Sequence, residues 1–314
     1  MRAAAILGPG NSPRDLKPFQ NDRGIVWQIG LPSAADQADI ILLFGGDGTV
    51  HRHLGRLVSL GLPVLVVPTG SGNDFARALG FRSARDSLEA WRRFCASRTQ
   101  DEKQDQDNVR TIDLGTITPL GNMVSADARD EHARVSECGA RHYFCSIAGI
   151  GLDSEVTRRA NALPRWLRGH GGYALTALRT ILRFSSFRME ILNSGEDDTR
   201  IRSDQPTTLA AFANTAIYGG GMKIAPHAQM DDGKLDVCMI AGISKLKLAC
   251  MFPTVYFGRH LRLPEVAYFQ ASALRVETEA PVDIYADGEY ICCTPAEIGI
   301  ARGALKVLAP RPRC

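Results

Sequence analysis

Two glycine-rich turns contain the residues of this chain that are best suited to hold a phosphate group. They are Gly45-Gly46-Asp47-Gly48-Thr49 and Pro68-Thr69-Gly70-Ser71-Gly72-Asn73-Asp74. Each turn follows a short apolar run and precedes a helical pattern. Glycine lets the backbone approach an anion closely, and the N–H groups at a helix N-terminus attract phosphate. Two such turns in tandem therefore predict a nucleotide-binding site.

The polar side chains in these turns allow two interpretations. A carboxylate such as Asp47 repels phosphate unless Mg²⁺ lies between them or the carboxylate orients a hydroxyl group. Thr49 can donate to a phosphate oxygen, and Asn73 can bind ribose or phosphate. Alternatively, Asp47 or Thr49 caps the first helix, and Asn73 or Asp74 caps the second. Neither turn matches the P-loop pattern or the dinucleotide fingerprint G-x-G-x-x-G.

The segments around the turns predict a doubly wound α/β domain. Apolar runs with β-branched residues occupy 3–7, 24–29, 40–44 and 62–67. Continuous runs of this kind are typical of strands buried on both faces of a parallel sheet. Helical spacing of apolar residues follows the first turn and returns in 87–97. Loops at the carboxyl ends of neighbouring parallel strands bind ligands, so both turns are expected at one edge of the sheet.

A change of pattern after residue 108 predicts a second domain. Residues 99–108 contain no apolar side chain and are expected to form an exposed linker. Short strand patterns separated by turns follow, which is typical of a sandwich or barrel. Strands are predicted at 144–147, 188–192, 209–217, 235–240, 274–278 and 282–285, and helices at 172–184 and 245–262. We therefore expect an α/β domain in 1–108, rejoined by 304–314, and a β-sandwich in 109–303.

Composition restricts the class of protein. The chain has 314 residues, 45% of them hydrophobic and 23% charged, which is enough to bury a sizeable core. A formal net charge of +3 argues against a dedicated nucleic-acid binder. The eight cysteines form no C-x-x-C pair, which favours reduced thiols over disulfides or a zinc site. No apolar run reaches ~20 residues, the length that spans a bilayer, so we expect a soluble cytoplasmic protein.

The sequence GGDGTV followed by PTGSGNDFARALG resembles the lipid kinase family of diacylglycerol kinases, sphingosine kinases and their bacterial relatives. Further matching motifs occur in the family's order at 112–115, 148–153, 219–226, 231–237 and 287–289. The resemblance implies ATP-dependent phosphorylation of a lipid hydroxyl by a nucleotide-binding α/β domain followed by a β-sandwich. The acceptor stays open among diacylglycerol, a sphingoid base, phosphatidylglycerol and a polyprenol.

The resemblance also assigns roles to individual residues. It implies that Asp287 accepts the proton of the lipid hydroxyl, that Glu289 holds metal or orients this hydroxyl, and that Asp47 orients metal or phosphate. ATP with Mg²⁺ would be held by Gly45, Gly46, Gly48, Thr49, Thr69, Gly70, Ser71, Gly72 and Asn73. A structural Mg²⁺ site is implied at Asp232, with backbone carbonyls as further ligands. From local sequence alone, 286–289 is also an ordinary hairpin turn and 231–233 an Asp-Gly turn.

Two departures from the family pattern leave other functions open. His51 and Arg52 stand where the family has Asn-Glu, so either Arg52 contacts phosphate directly or the metal arrangement differs. The family's N-P-x-S-G turn is represented only by residues 8–12. One alternative is a NAD kinase-like phosphotransferase, since GGDGT is shared with NAD kinases. The other is a degenerate kinase that binds nucleotide or lipid without turnover.

A basic stretch between residues 158 and 188 indicates contact with a membrane. It contains seven arginines and no acidic residue, and aromatic and aliphatic side chains lie between them. A cationic amphipathic surface suits docking on anionic lipid. A core-packing helix with a solvated basic face is the alternative, and the two are compatible. We therefore expect a lipid substrate, peripheral contact with the inner face of the membrane and no nucleic-acid partner, while a homodimer stays open.

Overall fold

The computed structural model of the chain describes residues 1–20, 24–97, 109–121, 138–162, 173–193, 200–202 and 205–310. The chain divides into two compact units. Unit 1 contains residues 1–113 and 302–314, and unit 2 contains residues 114–301. The linker predicted at 99–108 lies outside the described residues.

Unit 1 contains a parallel sheet. Its strands are β1 (Arg2–Leu7), β2 (Val26–Ile29), β3 (Ile40–Gly45), β4 (Val64–Pro68) and the last part of β16 (Ala296–Leu308). They follow the order β2-β1-β3-β4-β16 and pair in parallel. β3 and β4 are buried along their whole length, as continuous apolar runs require when both faces of a sheet are covered. The predicted α/β fold is therefore confirmed.

Helices connect the strands of unit 1. They are α1 (Pro13–Leu16), α2 (Asp47–Leu60), α3 (Asp74–Ala78) and α4 (Ala84–Ser97), with 3₁₀ turns at Lys17–Phe19 and Ala35–Gln37. α2 buries Val50, Leu54 and Leu57 on one face, at the spacing that predicts the helix. It ends at Gly61, whose φ of 63° is the left-handed conformation that glycine adopts most readily.

Two packed sheets form unit 2. The strands are β5 (Val109–Pro119), β6 (His142–Phe144), β7 (Ile147–Gly151), β8 (Met189–Asn193), β9 (Arg200–Arg202), β10 (Thr207–Ala213), β11 (Leu235–Ala241), β12 (Val266–Ala271), β13 (Ala273–Thr278), β14 (Asp283–Ala286) and β15 (Glu289–Cys293). One sheet has the order β16-β13-β8-β9, with β5 beside β16 and β6. The other has the antiparallel order β12-β11-β10-β7-β14-β15. Leu274 and Ile298 of the first sheet share a buried core with Phe212 of the second, which confirms the predicted sandwich.

Helices cover the outer face of the second sheet. They are α5 (Leu152–Asn161), α6 (Tyr173–Arg183) and α7 (Lys245–Met251), followed by 3₁₀ segments at Phe252–Phe257 and Arg259–Arg262. The helical structure predicted at 245–262 is present, but the α-helix ends at Met251 and 3₁₀ segments form the rest. Pro253 follows in the first turn of the 3₁₀ segment and has no N–H group with which to continue the α-helical pattern.

Candidate functional site

Three turns lie side by side at the carboxyl ends of β1, β3 and β4. The amide of Gly8 donates to the carbonyl of Phe44 at 2.7 Å, and the amide of Thr69 donates to the carbonyl of Gly45 at 3.1 Å. Asn11 strengthens the first junction, since its Nδ2 donates to the carbonyl of Phe44 at 3.3 Å. The two predicted glycine turns, together with the turn at residues 8–12, therefore form one continuous loop cluster in unit 1.

Glycine is required where these turns meet. A Cβ atom on Gly70 would lie 2.6 Å from the Cα of Gly46, and a Cβ atom on Gly46 would lie 3.0 Å from the Cα of Gly70. A Cβ on Gly72 would lie 2.8 Å from Oδ2 of Asp47. Contacts this short are not tolerated between a real Cβ and backbone, so the two turns are interlocked through their glycines.

Asp47 joins the first turn to the second. It lies in the first turn of α2, and its two carboxylate oxygens accept the amides of Asp74 and Phe75, each at 3.1 Å. The carboxylate therefore caps α3, a helix that begins 27 residues later in the chain. The capping interpretation predicts that Asp47 caps α2, its own helix. Sequence alone gives no signal for the observed contact with α3.

Asn73 closes the second turn on itself. Its Oδ1 accepts the amide of Gly70 at 2.9 Å, and its Nδ2 donates to the carbonyl of Gly70 at 2.6 Å. The residue adopts a left-handed φ of 57°, which asparagine tolerates better than most residues. Asn73 occupies the position before α3, but its side chain makes no capping bond. Its predicted contact with ribose or phosphate stays a prediction.

Several amides of the loop cluster are available for an anion. Among the described residues, the N–H groups of Gly46, Gly48, Ser71 and Gly72 have no hydrogen-bond acceptor. The side chains of Thr69 and Ser71 are exposed beside them. Exposed amides and hydroxyls next to a helix N-terminus are the groups that bind polyphosphate. Thr49 instead packs closely over Gly45, where a Cβ would lie 2.5 Å from its side chain.

The residues that depart from the family pattern lie further along α2. Arg52 is exposed, whereas His51 and His53 are half-buried. Burial, with a smaller contribution from the charge of Arg52, lowers the pKa of His53. The imidazole is therefore expected to be neutral at physiological pH.

The Asp287 carboxylate of unit 2 is held by backbone donors. It accepts the amides of Cys145 and Ser146, each at 2.8 Å, and the amide of Ile147 at 3.3 Å. The Cys145 thiol also donates to it, with an Sγ–Oδ2 distance of 3.3 Å. These contacts break the strand predicted at 144–147, because β6 ends at Phe144 and β7 begins at Ile147.

Asp287 and Glu289 flank the turn between β14 and β15. Asp287 has a left-handed φ of 50°, so the hairpin interpretation of this segment is correct as a description of its backbone. Glu289 begins β15 and is exposed. Asn161, at the end of α5, donates to the carbonyl of Gly288 at 2.7 Å and fixes the turn. The catalytic roles implied for the two carboxylates stay predictions.

Asp232 lies in an exposed turn before β11. Its Oδ1 accepts the amide of Lys234 at 3.0 Å, which is the contact expected of an Asp-Gly turn. Nε2 of Gln270 donates to Asp232 and to the buried Asp236, each at 3.2 Å. Among the described residues, no group of three or more histidine, cysteine or acidic side chains is arranged to hold a metal ion. The Mg²⁺ assignment at Asp232 therefore stays a prediction.

An apolar cavity in unit 2 was missed by the sequence reasoning. It lies between α5, α6, α7 and the second sheet, and its empty volume of about 480 Å³ includes space that is open to solvent. Its lining includes Val156, Ile181, Leu209, Met222, Leu248 and Met251. The lining residues come from six separate parts of the chain, and no local pattern predicts that they meet.

The buried Asp153 and the half-buried Tyr218 form a polar pair that lines this cavity. The Tyr218 hydroxyl donates to Oδ1 of Asp153 at 2.8 Å. Burial raises the pKa of Asp153 to about 6, although the bond from Tyr218 acts in the opposite direction. Gly149 leaves room for this carboxylate, since a Cβ there would lie 2.0 Å from Oδ2 of Asp153. The family motif at 148–153 contains Gly149 and Asp153, but it gives no signal for the role of either residue.

The chain thus combines an α/β unit that has interlocked glycine turns with a sandwich unit that has an apolar cavity. The family description "Diacylglycerol kinase catalytic domain" matches residues 29–103. The description "YegS C-terminal NAD kinase beta sandwich-like domain" matches residues 146–309. The chain belongs to this family of diacylglycerol kinases and YegS-like lipid kinases.

Individual relatives agree with the family assignment. The chain is 34% identical over 285 residues to a diacylglycerol kinase of Mycobacterium tuberculosis (strain CDC 1551 / Oshkosh), covering 89% of this chain and 79% of that protein. It is 27% identical over 301 residues to a Chromohalobacter salexigens protein named "Probable lipid kinase YegS-like", covering 91% and 83%. A crystal structure of a diacylglycerol kinase from Bacillus anthracis str. Sterne shares the fold, with a TM-score of 0.64 at 17% identity over 99% and 97% of the two chains. None of the described helices is long and apolar enough to cross a bilayer.

Proposed function

We propose that the chain is an ATP-dependent lipid kinase, which transfers the γ-phosphoryl group of ATP to a hydroxyl group of a diacylglycerol-like lipid. The observation that carries the proposal is the interlocked pair of glycine turns, with unbonded amides at Gly46, Gly48, Ser71 and Gly72 among the described residues. Phosphoryl transfer needs positioning and charge stabilisation more than covalent chemistry, and amides of this kind supply both. The names of the relatives favour a lipid acceptor over NAD.

Mg²⁺ fits the same turns through Asp47. The two carboxylate oxygens of Asp47 accept the amides of Asp74 and Phe75, and carboxylate oxygen is a ligand type that Mg²⁺ prefers. When bound, Mg²⁺ would neutralise charge on the β- and γ-phosphates. Asp47 would then orient the metal while its contact with α3 keeps the two turns together.

Asp287 would act on the acceptor. Three backbone amides fix its carboxylate in one orientation. As the lipid oxygen bonds to the γ-phosphorus and ADP leaves, Asp287 would take the hydroxyl proton. Glu289, two residues further on, would orient the same hydroxyl or hold metal.

The apolar cavity suits the hydrocarbon part of the acceptor. Its walls are aliphatic apart from Asp153 and a few neighbours such as Tyr218, so an acyl chain would replace water at little polar cost. The polar pair would face the end of the lipid that carries oxygen atoms. The cavity thus supports a lipid rather than a soluble acceptor.

A labelling experiment tests the proposal. The purified chain is incubated with Mg²⁺, ATP labelled at the γ-phosphate and separate acceptors: diacylglycerol, a sphingoid base, phosphatidylglycerol, a polyprenol and NAD. We expect label in a lipid product, identified by its mass, and none in NAD. Label in NAD alone would show a NAD kinase-like enzyme and reject the proposal.

A kinase-like protein without turnover is the second candidate, because His51 and Arg52 replace the polar and acidic pair of the family. Titration calorimetry with ATP distinguishes it from the first. ATP binding without any labelled product across the acceptor panel would favour this candidate.

A further inference from the structure

The three elements that wall the apolar cavity expose apolar side chains on their outward faces. Leu182 on α6 is 57% exposed, Leu246 on α7 is 76% exposed, and Phe257 in the following 3₁₀ segment is 73% exposed. The inward faces of the same elements contribute Ile181, Leu248 and Val255 to the cavity. We name the exposed side chains of 176–183, Lys245–Met251 and Phe252–Phe257 the outer cavity surface.

Cations lie among these apolar side chains. Arg179 and Arg183 are exposed on α6. Nζ of Lys245 donates to the carbonyl of Leu182 at 3.0 Å, which joins the N-terminus of α7 to the end of α6. The Arg259 guanidinium lies 5.9 Å from the centre of the Phe257 ring. The outer cavity surface therefore combines exposed hydrocarbon with positive charge.

Within the part of the chain that the structure describes, acidic residues form ion pairs with some nearby cations but with none of Arg179, Arg183, Lys245 and Arg259. Glu155 forms ion pairs with Arg158 at 2.9 Å and with Arg159 at 2.6 Å, so it offsets one of the two positive charges at the start of the basic stretch. Glu265 pairs with Lys247. Arg165 and Arg168 lie outside the described residues. Exposed cations of the outer cavity surface and its edge are therefore Arg179 and Arg183 on α6, together with Lys245 and Arg259.

We propose that the outer cavity surface docks on the surface of an anionic lipid bilayer. Its apolar side chains would enter the boundary between headgroups and acyl chains, and its cations would contact lipid phosphates. The charge complementarity favours an anionic bilayer over a neutral one. Nucleic acid is disfavoured, because large exposed aliphatic side chains gain nothing from a phosphate backbone. The docking itself does not depend on the proposed function. Its purpose does rest on the proposed function, in which lipid enters the cavity from the membrane.

Cosedimentation with vesicles tests the docking without ATP or turnover. The full chain is mixed with vesicles of phosphatidylcholine, with or without phosphatidylglycerol. We expect tight binding only to the anionic vesicles and a loss of binding at high salt. Equal binding to both kinds of vesicle, or no binding to either, would overturn the proposal.

Variants locate the binding surface. Each cation near an anionic bilayer contributes about fivefold in affinity, so the double change Arg179→Gln and Arg183→Gln should weaken binding by about 25-fold. The double change Leu182→Ser and Phe257→Ser should weaken it by at least about tenfold. Matched controls in unit 1 are Lys306→Gln, at an exposed cation, and Val26→Ser, at a side chain that is 67% exposed. Both controls should bind as the wild type does, and equal losses in the controls would contradict the assignment.

Two further measurements distinguish a failure of the proposed function from a failure of membrane docking. Phosphorylation of a short-chain acceptor in solution should be unchanged in the surface variants, since they do not alter the glycine turns or Asp287. Absence of this activity in the wild type, with vesicle binding as expected, would reject the proposed function alone. Sedimentation velocity tests a second copy of the chain as the occupant, and a dimer that the Leu182 and Phe257 changes dissociate would overturn membrane docking.

Discussion

Replacement of Asp153 by asparagine should stabilise unit 2 at neutral pH. Asp153 is buried beside the apolar cavity, and burial raises the pKa of its carboxyl group from 3.8 to about 6. The Tyr218 hydroxyl donates to its Oδ1 at 2.8 Å. Asparagine has nearly the same size and keeps an oxygen that can accept this bond, but it carries no charge at any pH.

The sign and size of the effect follow from the two pKa values. Between the unfolded value of 3.8 and the folded value of about 6, the folded state holds more protons than the unfolded state. Stability is therefore lost as pH rises through this window. A difference of ~2 pKa units corresponds to ~3 kcal/mol. Desolvating the amide group that replaces the carboxylate costs ~1–2 kcal/mol, which leaves a net gain of ~1–2 kcal/mol above the window.

Scanning calorimetry at several values from about pH 4 to about pH 8 measures this prediction. The wild type should lose stability over the window, and Asp153→Asn should lose less and melt at a higher temperature near pH 8. Asp231→Asn, at an exposed carboxylate of unit 2, serves as the control and should keep the pH dependence of the wild type. A variant that melts below the wild type near pH 8, or that keeps its full pH dependence, would refute the argument.

Three other substitutions test the candidate site. Asp287→Asn should lower kcat in the labelling assay by at least ~10²-fold, because an amide cannot take the hydroxyl proton. The control Glu297→Gln should turn over at nearly the normal rate. Near-normal turnover of Asp287→Asn would contradict the assignment of Asp287 as the base. Gly70→Ala should destabilise the chain by ~1–3 kcal/mol and weaken ATP binding in calorimetry, because its Cβ would lie 2.6 Å from the Cα of Gly46. Gly55→Ala should instead raise stability by ~0.5–1 kcal/mol and leave ATP affinity unchanged, because nothing lies within 4 Å of the new Cβ. An equal loss of stability and ATP affinity in both glycine variants would contradict the interlocked turns.

The sequence predicts most of unit 1 correctly because its information is local. Continuous apolar runs mark buried parallel strands such as β3 and β4, and the spacing of Val50, Leu54 and Leu57 marks α2. Consecutive parallel strands also place their turns at one edge of the sheet. The position of both glycine turns therefore follows from patterns that each lie within a short stretch of the chain.

Contacts between distant residues explain where prediction failed. The strand predicted at 209–217 ends at Ala213, since the next residue, Asn214, donates its amide to the carbonyl of Ser146 instead of a neighbouring strand. The strand at 144–147 is interrupted by Asp287, which is more than 140 residues away in sequence. The amides at Cys145 and Ser146 carry no residue signature, because any non-proline residue can donate from its backbone.

Strand β7 acts as a fixed spacer between two carboxylates of unit 2. At one end the amide of Ile147 donates to Asp287, and two residues further on Gly149 lies beneath the carboxylate of Asp153. Two residues of an extended strand span about 7 Å, a length comparable to a lipid headgroup. Under the proposed function, the alignment of the acceptor is then a property of unit 2 alone. If the hydrocarbon chain of the acceptor occupies the cavity and Asp287 acts as the proposed base, the spacing along β7 would favour headgroups of about this length over longer ones.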